Sequence, residues 1–189
     1  CELGPEYIAT AVELLERTGA ANVGGIMDAK GRTPFERAVA TAYTSKLGLG
    51  SSAFHQGNAP EGPVETVFLG VFRKADLVAA GGFSPEFDRA QDWELNYRLR
   101  QSGREVWFSP NLRVTYRPRS TVKALARQFF RTGQWRREVM RRHRDSVSLR
   151  YLAAPIAVTG ITVGTVFGLV GAVQAAKGKT LKRWPLVGW

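Results

Sequence analysis

The chain has 189 residues, with 27 Lys and Arg against 16 Asp and Glu and a formal net charge of +11. That length holds one domain with a real core and an appendage. A single cysteine excludes an intramolecular disulfide and a cysteine-cluster metal site, and two histidines, His55 and His143, exclude a histidine-rich one.

Helix-type sequence begins almost at once, and the first residue is Cys1, so the start reads as a cut edge. A mature lipoprotein also begins with Cys, but nothing else in the sequence supports export. Residues 5–18 predict an amphipathic helix, with Ile8, Val12 and Leu15 on one face and Glu13, Glu16 and Arg17 opposite. Pro5 suits its first turn and Gly19 its C-terminal cap. Residues 21–27 predict a short buried strand and Asp28–Gly31 a turn. Pro34 opens a second helix running to about Lys46. Residues 48–63, rich in Gly, Ser, Asn and Pro, read as a mobile loop.

Residues 64–73 are a strong strand candidate, and Lys74–Ala80 a short helix ending at Gly81-Gly82. Asp88, Asp92 and Glu94 then form an acidic cluster that runs into a helix ending at Gly103. Carboxylates at such a junction are oriented by the positive end of the helix dipole, and an oriented carboxylate is what a general base requires. Residues 105–108 predict a strand, and 114–116 another. Helices and strands alternate to residue 117, which predicts an α/β layered domain.

The charge is lopsided. Residues 1–110 carry 11 basic and 14 acidic side chains, residues 111–189 carry 16 and 2. Such a basic end points to nucleic acid or an anionic membrane. The membrane reading is favoured because residues 151–176 hold no formal charge over 26 residues. About 20 apolar residues cross a bilayer as helix. The arginines are densest before this run, at Arg136, Arg137, Arg141, Arg142, Arg144 and Arg150, which places residues 1–150 in the cytoplasm. Residues 120–143 predict a basic amphipathic helix in the headgroup layer. Val122, Leu125, Ala126, Phe129, Gly133 and Met140 lie near its apolar face, and Phe129, Phe130 and Trp135 at headgroup depth. The run Ala176-Lys177-Gly178-Lys179-Thr180 is no phosphate-binding loop, because Val173 stands where the earlier Gly is required.

Several segments together carry a resemblance: Gly70-Val71-Phe72-Arg73-Lys74, Gly81-Gly82-Phe83, Ala90 to Arg100, and Gly103, in that order. Pro118-Arg119-Ser120 and Arg127 to Trp135 extend it. The set resembles the second half of family 2 inverting glycosyltransferases, most of all the membrane-associated enzymes of succinoglycan-type exopolysaccharide assembly. The resemblance implies a GT-A fold, a three-layer α/β domain that binds a nucleotide-diphosphate sugar. It implies a catalytic Asp at the start of an acceptor-side helix, which Asp92 matches, with Gln91 in place of the usual preceding Glu. The alternative is that Asp92 only caps its helix. Glu94 positions the acceptor or pairs with Arg98 one turn on; Arg73 reaches a phosphate or the acidic cluster, or is solvated. Asp88 reads as a turn residue.

Processive members carry a Gln-x-x-Arg-Trp motif near the membrane, where it contacts diphosphate and acceptor. Gln128 and Arg131 have that spacing, but Trp135 comes four residues after Arg131 instead of next to it. The nucleotide-binding half and an Asp-x-Asp-type motif for a divalent cation (Mg²⁺ or Mn²⁺) have no match in this sequence. The expectation is therefore 1–118 as the acceptor-side part of a GT-A domain, 119–150 a basic juxtamembrane segment, 151–176 a transmembrane helix and 177–189 a basic tail. The expected partners are a nucleotide-sugar donor, a glycan or lipid-linked acceptor and the membrane, with no nucleic acid. The rival readings are a membrane-anchored basic binding module for anionic lipid or nucleic acid, and a non-catalytic subunit of such an enzyme.

Overall fold

The computed structural model describes residues 1–45, 52–55, 57, 59–144 and 153–176. The expected loop over 48–63 lies partly outside them, and the basic tail wholly so. The chain divides into two compact units, Cys1–His143 and Arg144–Trp189.

The first unit is built on a mixed sheet. Its strands are β1 (Glu2–Leu3), β2 (Asn22–Ala29), β3 (Gly62–Pro63), β4 (Phe68–Phe72) and β5 (Val106–Tyr116). The order is β1-β5-β2-β4, with β3 also on β5. Only β2 and β5 are parallel; the other pairs are antiparallel. Among the described residues five α-helices accompany the sheet, α1 (Tyr7–Thr18), α2 (Pro34–Thr44), α3 (Lys74–Ala79), α4 (Gln91–Gln101) and α5 (Val122–Arg142), with a short 3-10 turn at Ala53–His55.

Alternation along β2 sets the layers, since successive side chains of a strand point to opposite faces. Val23 packs with Tyr7, Ala11, Leu14 and Leu15 of α1. Its neighbour Asn22 donates to the Asn96 side chain of α4 at 2.7 Å, and Asn96 in turn donates to Thr66 Oγ1 at 3.0 Å. Leu95 and Leu99 of α4 are buried against Ala21. The sheet thus lies between α1 and α4. The helix ends follow their chemistry. Thr33 and Glu36 form a reciprocal capping box on α2, and Gly19 closes α1 in the left-handed conformation at φ 71°.

The strands differ from expectation in several places: β2 runs on to Ala29, into the turn expected from Asp28, and the short β1 and β3 were not expected. Residues 105–108 and 114–116 belong to one strand, β5, because Pro110, which lacks an N–H, falls within a register shift against β2 rather than ending the strand. There Leu112 turns in against Gly25, where any β-carbon would lie 1.8 Å from the Leu112 carbonyl oxygen. The strand expected over 64–73 begins only at Phe68. Its first part pairs with β5, Val64 N–H donating to the Val106 carbonyl at 2.8 Å, before the chain moves to the outer edge of β2. Val67 is buried along that passage, and a β-carbon on Gly24 would lie 2.6 Å from its Cγ2.

In the second unit one helix is described, α6 (Ala153–Ala176). Its stretch Ile156–Ala175 is long and apolar enough to cross a membrane by length and composition.

Gly25→Ala is expected to lower stability by about 3 kcal/mol, since the backbone of β2 or β5 must shift. Gly133→Ala in α5, where a β-carbon meets nothing within 4 Å, is expected to raise it by up to about 1 kcal/mol. Thermal melting of both variants in detergent checks the contrast.

Candidate active site

Asp92 lies in the first turn of α4 and is exposed. The capping position falls on Ala90, in the left-handed region at φ 60°, and no side chain caps this helix end. Asp92 is therefore inside the helix, not its cap. Its Oδ1 accepts the Trp93 N–H at 2.9 Å, and among the described residues its Oδ2 has no partner. Gln91 donates to the Phe87 carbonyl and so ties the loop before the helix to the helix start. Asp88 is exposed in that loop.

Glu94, one turn from Ala90, is turned inward and only 3 % exposed. Arg98 meets it with a two-pronged grip, Nε to Oε1 at 2.7 Å and Nη2 to Oε2 at 2.8 Å. The same guanidinium donates to the Ala80 carbonyl and, at 2.7 Å, to the Gly82 carbonyl. Gly81 and Gly82 have φ of 79° and 68°, left-handed values that suit glycine. The pair thus fixes the α3–α4 turn to the helix that carries Asp92. His143, at the end of α5, places Nε2 3.5 Å from Glu94 Oε1 and its ring 4.6 Å from that of Tyr97. The i,i+4 spacing was legible for Arg98; the two carbonyls and His143 carry no local sequence signal.

Helix α5 packs on the same loop. Trp135 lies 6.0 Å from Phe87, ring to ring, and the two share a buried cluster with Trp93 and Val139. Arg136 stands over the Trp93 ring at 5.7 Å. Arg142 pairs with Glu86 and lies over Phe87 at 4.9 Å. At its other end α5 places Leu125 against Tyr43 and Tyr116. Gln128 donates to the Tyr116 hydroxyl at 3.2 Å and accepts from Arg119 at 2.8 Å. The inward face is therefore turned from the one expected. It runs through Leu125, Gln128, Trp135 and Val139, while Val122 is 68 % exposed. Trp135 packs against Phe87 instead of projecting as a headgroup anchor; Arg131 is exposed.

Arg73 lies apart from Asp92. It donates to the Leu15 carbonyl at 2.5 Å and stands 3.8 Å from buried Asp76, which also pairs with Arg104 just beyond the C-terminal end of α4. The structure thus gathers Gln91, Asp92 and Trp135 around one loop, buries Glu94 beneath it and leaves Arg73 near the far end of α4.

His55 is buried, with its ring 4.4 Å from Phe54 and 6.0 Å from Tyr43. Burial lowers its pKa to about 4, which keeps it neutral.

Comparison with known proteins agrees with the motif reading. The chain is 32% identical over 165 residues to the succinoglycan biosynthesis protein ExoA of Rhizobium meliloti (strain 1021), across 87% of this chain and 49% of that protein. The chain thus spans about half the length of this relative. The similarity to this succinoglycan biosynthesis protein runs along most of the sequence, not at isolated motifs alone. No family model and no solved structure matches the chain.

Arg98→Met leaves the Glu94 carboxylate buried without its main partner, and is expected to cost about 3–5 kcal/mol. The double variant Glu94→Met, Arg98→Met is expected to recover most of that loss, because no charge stays buried; melting of these two, of Glu94→Met and of the unsubstituted protein measures the coupling. For His55 the pKa is lower folded than unfolded, so the unfolded chain takes up the proton first as pH falls. Its contribution to stability is whole above the unfolded pKa near 6.5 and is lost as pH drops toward about 4. His55→Phe is expected to flatten the melting temperature across that window, relative to the unsubstituted protein.

Proposed function

We propose that this chain is the acceptor-side part of an inverting glycosyltransferase with a GT-A catalytic domain, and that Asp92 is its general base. One observation carries the reading: an exposed carboxylate with one free oxygen, in the first turn of a helix fixed by a buried ion pair, in a chain akin to a succinoglycan biosynthesis protein. The layered arrangement of α1, the mixed sheet and α4 is compatible with such a domain.

An acceptor hydroxyl approaches Asp92 Oδ2. As its oxygen attacks the anomeric carbon of the donor sugar, the proton passes to the carboxylate. The bond from that carbon to the nucleotide diphosphate breaks, and the configuration inverts because attack comes from the opposite face. The Trp93 N–H on Oδ1 and the Gln91 bond to Phe87 hold the carboxylate's orientation. A base already in place saves reorganisation at the moment of reaction. Glu94 acts through Arg98 as a positioning residue. Trp135 walls the loop, and exposed Arg131 is suited to meet phosphate oxygens of the leaving diphosphate or of a lipid-linked acceptor.

The donor nucleotide and a divalent cation belong, in this reading, to polypeptide outside these residues. Among the described residues no group of three or more His, Cys, Asp or Glu comes together to hold a metal. This reading assigns no residue of the chain to the cation, and no step here passes through it. Helix α6 crosses the membrane in this account, with the arginine-dense side and the Asp92 unit in the cytoplasm.

The test is Asp92→Asn in the full-length protein. Sugar transfer is expected to fall by about 10²–10⁴, with melting temperature and donor affinity unchanged. Near-normal turnover in that variant would overturn the assignment.

A further inference from the structure

We infer that the outward face of α5 is a docking surface for an anionic lipid bilayer. It deepens the membrane reading above, but it rests on α5 itself. A helix turns about 100° per residue, so Lys123, Arg127, Phe130, Gln134, Arg137 and Arg141 fall within an arc of about 80°. All six are exposed. This stripe lies opposite the face that Leu125, Gln128, Trp135 and Val139 commit to the protein. Lys123, Arg127 and Arg137 have no ion-pair partner among the described residues; Arg141 shares Glu138 with Arg142 at 3.4 Å and 3.0 Å. In the middle of these cations Phe130 is 68 % exposed.

Four cations around one exposed aromatic match the headgroup layer, where phosphates meet the charges and the ring reaches the acyl boundary. Each cation near an anionic leaflet contributes about 1 kcal/mol, close to fivefold in a binding equilibrium. A protein groove would instead call for a row of apolar knobs, and this stripe has one. A nucleic acid would also meet cations with an aromatic ring. The bilayer is favoured because the next described element in the sequence is α6, whose composition suits a membrane.

The two faces of α5 have a joint consequence. Trp135, Arg136 and Arg142 on the protein side hold the loop of residues 86–93. A bilayer bound to the other side therefore orients Asp92 with respect to the lipid surface. The acceptor that suits such a placement is one whose sugar is carried on a lipid phosphate.

The experiment uses the whole chain in nanodiscs, in a Cys1→Ser background, with Phe130→Cys carrying an environment-sensitive fluorophore. Discs of phosphatidylcholine are compared with discs containing phosphatidylglycerol. In the anionic discs the label is expected to shift to the blue and to be quenched by a bilayer-phase quencher; in the neutral discs it stays in water. Lys123→Glu with Arg127→Glu and Arg137→Glu is expected to remove the preference, about fivefold for each cation, without lowering the melting temperature. Gln134→Cys labelled in the same way repeats the readout at a second exposed position. Identical spectra in the two discs at both positions would overturn the proposal, as would a shift produced by an RNA oligonucleotide and by neither bilayer. Asp92→Asn separates this proposal from the one on catalysis: it lowers turnover in the full-length protein and leaves the label where it was in these discs.

Discussion

The candidate site depends on the ion pair between Glu94 and Arg98. Burying a carboxylate costs several kcal/mol unless its oxygens are met. Here both oxygens are met by one planar guanidinium, and that group has donors left for two backbone carbonyls, Ala80 and Gly82. A lysine has no such fork. The single contact thereby joins the α3–α4 turn to the first turns of α4. Asp92 stands two residues before Glu94, so the orientation of the exposed carboxylate follows from the burial of its neighbour. The amide pair Asn22–Asn96 fastens the same helix to the sheet two residues further on.

Helix α5 adds the second constraint. It lies along the unit from Tyr43 and Tyr116 at one end to Phe87 and Trp93 at the other. Its inward side chains are few but large, and they bind the loop that precedes Asp92. The basic composition of residues 111–189 leaves a charged surface on the reverse of the same helix. Site support and surface charge are thus two faces of one element, and a force on the outer face acts on the loop through Trp135 and Arg142.

Much of this was legible in the sequence. Periodicity placed α1, α2, α4 and α5 to within a few residues, and Gly81-Gly82 marked the turn that Arg98 grips; the inward face of α1, however, runs through Tyr7, Ala11, Leu14 and Leu15 and leaves Ile8 and Val12, expected on it, exposed. The carboxylate at a helix start was visible, although its place inside the helix was not, because Ala90 takes a left-handed conformation that alanine seldom adopts. The joining of two strand segments into β5 depends on Gly25 and Leu112 meeting across strands, a contact far apart in sequence. Trp135 looked displaced from a motif and suited to lipid; the competing burial against Phe87 is tertiary. Arg73 offered a charge next to a strand end, and only the fold shows that Leu15 and Asp76 engage it.

The central claim, that the Asp92 carboxylate removes the acceptor proton, is tested most directly by chemical rescue. Asp92→Ala in the full-length enzyme removes the base and leaves space for a small carboxylate. Added formate or acetate is predicted to restore sugar transfer, with a rate that rises with the pKa of the rescuing acid, as general-base catalysis requires. No rescue by any carboxylate, in a variant that melts normally and binds donor, would contradict the account.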